Sequence, residues 1–273
     1  MEKDLTRGKP ARVLLRFALP VIGGNLFQLF YTLADSVIVG RTLGADALAA
    51  VGSTSIIIYL VLCFIQGFTG GFGICLGQRF GAKDQSGMER SVRISWLLSL
   101  FFTVVLTVVC CLLAHPILQW MQTPDAIYAD AYDYMFVILL GTGATIFYNM
   151  ISNMLRALGD SRTPVIFLVV SSLGNVALDV LFIVPMKMGV AGAALATVIG
   201  QIIAFIAGII LNHKFNHEVR LNMRSFRPDG AIIKNIYAVG VPSIIMGSIG
   251  SVMTVGINQI VRLCGAVADT AQA

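Results

Sequence analysis

Long apolar runs, separated by short clusters of charge, make up most of the chain. Read between those clusters, they predict seven spans over 14–40, 48–76, 94–114, 131–154, 163–185, 190–212 and 236–261. Each reaches the ~20 residues that an α-helix needs to cross the hydrocarbon of a bilayer. The stretch 96–113 carries no charged side chain. Such continuity excludes the alternating apolar and polar strands of a membrane β-barrel. The predicted fold class is therefore all-α: a polytopic helical membrane protein in which a six-helix transmembrane bundle is followed by one further helix.

Composition agrees, at 57% hydrophobic and 12% charged with a mean hydropathy of +0.84, where a soluble domain carries about 25% charged residues. The net charge of +5 reads as topology. Basic residues cluster before the first span (Lys3, Arg7, Lys9, Arg12, Arg16), after the second (Arg79, Lys83, Arg90, Arg93) and after the fourth (Arg156, Arg162). A further group follows the sixth (Lys214, Arg220, Arg224, Arg227, Lys234), leaving only Arg41, Lys187 and Arg262 on the other side. The positive-inside rule then puts the N-terminus in the cytoplasm of a cell-membrane protein. The alternation also supports the span count. The first apolar run is too long for the h-region of a cleavable signal and contains Pro20 and Asp35. No basic run with interleaved aromatics suggests nucleic acid. Cys63, Cys75, Cys110, Cys111 and Cys264 lack metal-ligand spacing and read as small hydrophobes. His213 and His217 have i,i+4 spacing, but without a third ligand they read as a solvated helix end.

Against this background two carboxylates stand out, Asp35 in the first span and Asp179 in the fifth. A carboxylate at membrane depth costs a few kcal/mol on insertion scales, and normally faces a bundle interior or an aqueous cavity where ions or protons move. The plain alternative is an interfacial helix-end acid. Asp35 lies six residues before Arg41 and Asp179 eight before Lys187, so at about 1.5 Å per residue both sit roughly 9–12 Å below the same boundary. The sixth span starts at that face and brings Thr197 to a similar depth. Gly24, Gln28, Tyr31 and Asp35 fall within an arc of roughly 60° on the first helix. On the fifth, Asn175 and Asp179 are i,i+4 neighbours with Ser171 and Ser172 one turn further in, and the sixth adds Thr197 and Gln201. Singly, such residues serve as interhelical glue. Together, at one level, they describe a site for a hard cation or a proton.

Small residues (Gly67, Gly70, Gly71, Gly73, Gly77) crowd the second span and others (Gly189, Gly192, Ala193, Ala194, Ala196) open the sixth, consistent with close helix packing in lipid. Pro20 makes a kink plausible in the first span. An internal repeat follows: Phe17-Ala18-Leu19-Pro20 is similar to Tyr237-Ala238-Val239-Gly240-Val241-Pro242, and Arg41-x-x-Gly44-Ala45 to Arg262-x-x-Gly265-Ala266. Six spans separate the copies, as in parallel six-helix repeats. The expected organisation is an N-terminal transmembrane lobe over 1–215, a cytoplasmic linker over 216–235 and the first helix of an incomplete second lobe over 236–273.

Three segments resemble the multidrug and toxic compound extrusion (MATE) family: Gly40-Arg41-x-Leu43-Gly44-Ala45-Asp46-Ala47-Leu48-Ala49-Ala50-Val51-Gly52, Leu155-Arg156-Ala157-Leu158-Gly159-Asp160-Ser161-Arg162-Thr163-Pro164, and Gly189-Val190-Ala191-Gly192-Ala193-Ala194-Leu195-Ala196-Thr197. The resemblance implies a twelve-helix, two-lobe antiporter that exports small organic, often cationic, substrates in exchange for Na+ or H+. It uses no other cofactor. This chain would supply the N-terminal lobe and the seventh helix. The family's N-lobe cation site maps onto Tyr31, Asp35, Asn175, Asp179 and Thr197, with Gln28, Ser171, Ser172 and Gln201 as further polar cavity residues. Rival readings are a lipid-linked oligosaccharide flippase, which would carry several basic residues on cavity-facing helices, and a non-transporting fragment. An enzyme is disfavoured, because the loops show no nucleophile–base pairing or metal-ligand cluster.

Overall fold

The computed structural model describes the backbone of residues 10–215 and 230–272. The His213/His217 pairing lies outside the described residues, since the side chain of His213 and all of His217 are not among them. Helices run over Pro10–Leu43 (α1), Ala45–Gly81 (α2), Gln85–Trp120 (α3), Asp125–Leu140 (α4), Thr142–Ala157 (α5), Arg162–Ile183 (α6), Gly189–Phe215 (α7) and Gly230–Gln272 (α8). Among the described residues there is no strand. Among the described residues six helices are long and apolar enough to cross a membrane, and α4 with α5, taken as one bent span, makes a seventh. The chain is thus a multi-pass membrane protein with the predicted spans in the predicted order.

The fourth span differs from the straight helix expected over 131–154: it bends by 46° between α4 and α5. Packing explains the bend. A Cβ at Gly141 would collide with Cγ2 of Val198, so α7 presses against the chain where no side chain intervenes. The Thr142 hydroxyl, donating to the Leu139 carbonyl at 2.6 Å, satisfies a backbone acceptor at the break. Elsewhere the helices outrun their apolar cores. Gly81 ends α2 five residues beyond its predicted limit, and α3 begins at Gln85 rather than 94. Bilayer hydropathy marks only the membrane-embedded part of a helix, and these ends project past it.

Those projecting ends form a tight elbow. The Asp84 carboxylate accepts from the Gly87 backbone N–H at 2.9 Å and from the Ser86 hydroxyl at 3.0 Å, capping α3, and pairs with the Arg79 guanidinium at 3.2 Å. At the opposite end of the bundle Gly44, at φ 94°, turns the chain between α1 and α2. Pro20 and Pro242 sit at matching places inside continuous α1 and α8. However, α8 runs through Gly265 without the break that Gly44 makes after α1.

The main core joins α2, α3, α5, α6 and α8 through Phe72, Leu76, Met88, Met150, Leu158, Phe167, Ile232 and Ile236, all buried. Ile232 and Ile236 commit the start of α8 to this lobe. Further along, the α2 backbone meets α8 directly: a Cβ at Gly67 would stand 2.7 Å from the Ile244 nitrogen, and one at Gly71 would stand 2.8 Å from the Ile236 carbonyl. In lipid, where apolar burial gives little drive, such backbone approach is the means by which helices associate.

Candidate cation site and adjoining cavity

Three helices converge in the half of the bundle nearer Arg41 and Lys187. On α1, Tyr31 and Asp35 are one turn apart; on α6, so are Asn175 and Asp179; α7 brings Thr197 between them. The Asp35 and Asp179 carboxyl groups come within hydrogen-bonding reach of each other, and the Tyr31 hydroxyl lies beside Thr197. Asn175 donates through Nδ2 to the Thr197 hydroxyl at 3.3 Å, which in turn donates to the Ala193 carbonyl at 3.1 Å. The close pass of α7 over α6 that permits this occurs at Gly200, whose Cβ would be 3.2 Å from that of Asn175. All five residues expected at the site are brought together.

The polar groups here are unevenly matched. Asp179 is fully buried and Asn175 is 2% exposed. Oδ1 of Asp35, both carboxylate oxygens of Asp179, Oδ1 of Asn175 and Oε1 of Gln201 are buried without any hydrogen-bond donor. Buried polar atoms are nearly always satisfied, and a cluster of exceptions calls for a missing partner. Five oxygens that can only accept, on four neighbouring residues, would be satisfied by a cation or by protons.

One residue of this site escaped the sequence reading. Tyr134, on α4, packs with Val39, Ala47, Ile183, Val190 and Ala193 and lies close to Asp35, Tyr31 and Asp179. It covers the carboxylate pair on the side away from the cavity described next. Depth was the available signal: Tyr134 lies nine residues into α4 from Asp125, or about 13 Å from that end, close to the level of the aspartates.

Toward the other end of the bundle a cavity of about 360 Å³ opens between α1, α2, α5, α6 and α7. Gln28, Ser171, Ser172 and Gln201 line it as expected, with Tyr31, Asn175 and Thr197 at its inner limit. Asp35 and Asp179 do not line it; they sit behind that limit. A second polar stripe, Thr145, Asn149, Ser152, Asn153 and Arg156 on α5, forms the facing wall. Its i, i+4, i+7 spacing is readable in the sequence once α5 is known to be a separate segment. Asn153 ties that wall to α2 by donating to the Thr69 hydroxyl at 3.1 Å. Arg156, which charge clustering placed after the fourth span, belongs to the last turn of α5 and lines the cavity. No group of three or more potential metal-ligating His, Cys, Asp or Glu residues occurs among the described residues.

A helical membrane bundle with a paired-carboxylate site beside a polar cavity has the anatomy of a secondary transporter lobe. The MatE family model matches residues 20–181, and the chain belongs to that family. It is similar to the probable multidrug resistance protein YpnP of Bacillus subtilis, 31% identical over 259 residues that cover 92% of this chain and 57% of that one. Similarity extends to the probable multidrug resistance protein NorM of Thermotoga maritima, 28% identical over 93% of this chain and 55% of that one. Among solved structures, an outward-facing multidrug resistance MATE family transporter aligns with TM-score 0.83 at 29% identity, over 89% of this chain and 54% of that one. An inward-facing one aligns with TM-score 0.77 at 29% identity, over 82% and 51% respectively. The chain spans about half the length of the curated relatives it matches.

Proposed function

We propose that this chain forms the cation-coupling lobe of an efflux transporter that exchanges Na+ or H+ for small organic substrates by alternating access. The cluster of buried, donor-free oxygens on Asp35, Asp179, Asn175 and Gln201 carries the reading. Two carboxylates side by side in a low-dielectric site repel each other, and a monovalent cation or a shared proton between them relieves that repulsion. Thr197 and Tyr31 supply hydroxyls at the same point, and Asn175 holds Thr197 in place. The site closes the end of the substrate cavity, so filling it pulls α1, α6 and α7 together along the cavity wall. A cation that favours the contracted wall disfavours bound substrate. By linkage the substrate disfavours the cation equally, and antiport follows.

In this reading residues 1–215 are one lobe, 216–235 the linker and 236–273 the start of a second lobe that α8 ties to the first. The basic end of the bundle, with Arg79, Lys83, Arg90, Arg93 and Arg162, faces the cytoplasm with the N-terminus. That similar chains are known in both outward- and inward-facing conformations supports alternating access. The flippase reading asks for several basic cavity residues, and among the described lining residues Arg156 is the one present.

The test is cation-driven dye efflux in membrane vesicles from cells expressing the full transporter, with Asp35→Asn and Asp179→Asn compared with wild type under separate Na+ and pH gradients. Each variant is expected to insert normally and to lose gradient-dependent efflux. Retention of efflux by either variant would refute the site.

A further inference from the structure

Tyr134 of the cation site and the α5 wall of the cavity belong to one bent span, broken at Gly141. Tyr134 lies seven residues before the break, while Thr145 and Asn149 lie four and eight residues after it. Hydrogen bonding at the break is local. The Gly141 N–H donates to the Val137 carbonyl at 3.1 Å, the Ala144 N–H to the Gly141 carbonyl at 3.0 Å and the Thr142 hydroxyl to the Leu139 carbonyl at 2.6 Å. None of these three bonds reaches another helix, so the bend angle is left to packing. That packing comes from two sides, because positions 141 and 143 are about 200° apart on a helix. At Gly141, α7 meets the break through Val198, whose Cγ1 and Cβ would stand 2.8 and 3.0 Å from an added Cβ. At Gly143, α3 meets it through Thr103, whose Cγ2 would stand 2.6 Å from one. Val198 is also the immediate neighbour of Thr197, which accepts from Asn175 at the cation site. Two adjacent residues of α7 thus bear on two different structures, one on the ion site and one on the break.

We infer that Val198 is a positioning residue for ion coupling: it carries movement of Thr197 at the cation site to the break at Gly141, and so sets the angle of the α5 wall. This rests on the transport reading above and gives its coupling a route through α7. Thr197 and Val198 are about 1.5 Å apart along a helix that moves as one body, so a pull on the first displaces the second. Valine is stiff at χ1, and at Gly141 it bears on backbone, so rotation of a side chain does not absorb the push. Asn149 is about 12 Å along α5 from the break, and a change of about 10° in the bend would move it by about 2 Å. On the wall of a cavity of about 360 Å³, that exceeds the gap at which facing contacts lose a quarter to a half of their attraction.

The experiment uses the full transporter in nanodiscs, with its cysteines replaced by alanine and a nitroxide label attached at Thr145→Cys. The site is filled with NaCl at neutral pH and, separately, with acid. Two quantities are followed: the midpoint of ion-dependent thermal stabilisation, counted as the part that Asp179→Asn loses, and the ratio of mobile to immobile label in the electron paramagnetic resonance spectrum. With Val198 and Gly141 intact, one of the two ions is expected to shift that ratio about fivefold, the low end of the usual coupling between linked sites. Val198→Ala should keep the midpoint within about twofold and bring the shift close to one. Gly141→Ala with Val198→Ala returns a methyl group to the contact from the other side, and should recover most of the shift. No label shift with either ion while stabilisation is present, or a full-sized shift in Val198→Ala, would overturn the inference. So would a shift lost together with the midpoint, or one that the double variant fails to restore. Absence of ion-dependent stabilisation in the protein with Val198 and Gly141 intact would refute the cation reading itself, and the inference with it.

Discussion

Gly67→Ala adds a single methyl group where α2 and α8 touch. Its Cβ would stand 2.7 Å from the Ile244 nitrogen and 3.0 Å from its Cα, both backbone atoms that no rotamer change can move aside. Normal contact lies near 3.5 Å, so the helices must part by roughly 0.5–1 Å, a gap that forfeits a quarter to a half of each facing dispersion contact. Overpacking of this kind costs about 1–3 kcal/mol. Cys63 reports the result. It is 7% exposed, and its thiol donates to the Gly247 carbonyl of α8 at 3.5 Å, so α8 shields it from reagent. With the other four cysteines replaced by alanine, maleimide labelling of Cys63 follows the population in which α8 has lifted away. The variant should label about 5- to 150-fold faster, the factor corresponding to 1–3 kcal/mol. Gly70→Ala is the matched control, since a Cβ there meets nothing within 4 Å. Equal labelling rates for the two variants would refute the claim that backbone approach at Gly67 seats α8.

Two further outcomes follow from local chemistry. The Asp84 carboxyl is held below the usual carboxylate range, first by the Gly87 N–H, then by the Ser86 hydroxyl, with Arg79 adding a favourable charge. Its contribution to the elbow is therefore complete above the unfolded value of about 4 and is lost as pH falls through the lower folded value. Asp84→Asn keeps the cap and should flatten that acid-side loss of thermal stability; an unchanged pH profile would remove Asp84 as its source. Tyr134→Phe keeps the ring against Val39 and Ile183 but removes the hydroxyl beside the carboxylate pair. Thermal stability without cation should change little, while the cation concentration for half-maximal stabilisation rises roughly two- to fivefold, as a polar group close to both carboxylates is lost in a low-dielectric site. An unchanged midpoint would make Tyr134 mere packing.

What the sequence disclosed and what it withheld divide along a physical line. A bilayer penalises each charged residue separately, so Asp35 and Asp179 could be recognised one at a time, and helical spacing then picked up Tyr31, Asn175 and Thr197. The same rule recovered the spans and their order, because a charge cluster marks where a span leaves the bilayer even where the helix continues past it. Information that depends on a neighbouring helix is not local in this way. The bend at Gly141 is imposed by Val198, 57 positions further along the chain. A tyrosine in an apolar run has a packing role everywhere, and Tyr134 becomes part of the site only because α4 crosses over the place where α1 and α6 meet.

Arg156 shows the limit most sharply. Counted by charge, it marks the end of the fourth span and votes for a topology. Placed on α5, it shares a face with Asn149, Ser152 and Asn153 and looks into the cavity. Both roles are physically sound for an arginine at the last turn of a membrane helix, because a long side chain can carry its head to either water surface. Only the packing of α5 against α6 and α2 decides between lipid headgroups and cavity, and it sends the guanidinium inward. The placement of charge, a carboxylate pair behind one end of the cavity and a guanidinium toward the other, thus arises from two separate sequence patterns. One carboxylate pair is conspicuous in the chain, while one arginine is hidden among fifteen other basic residues that the topology places on the same side of the membrane.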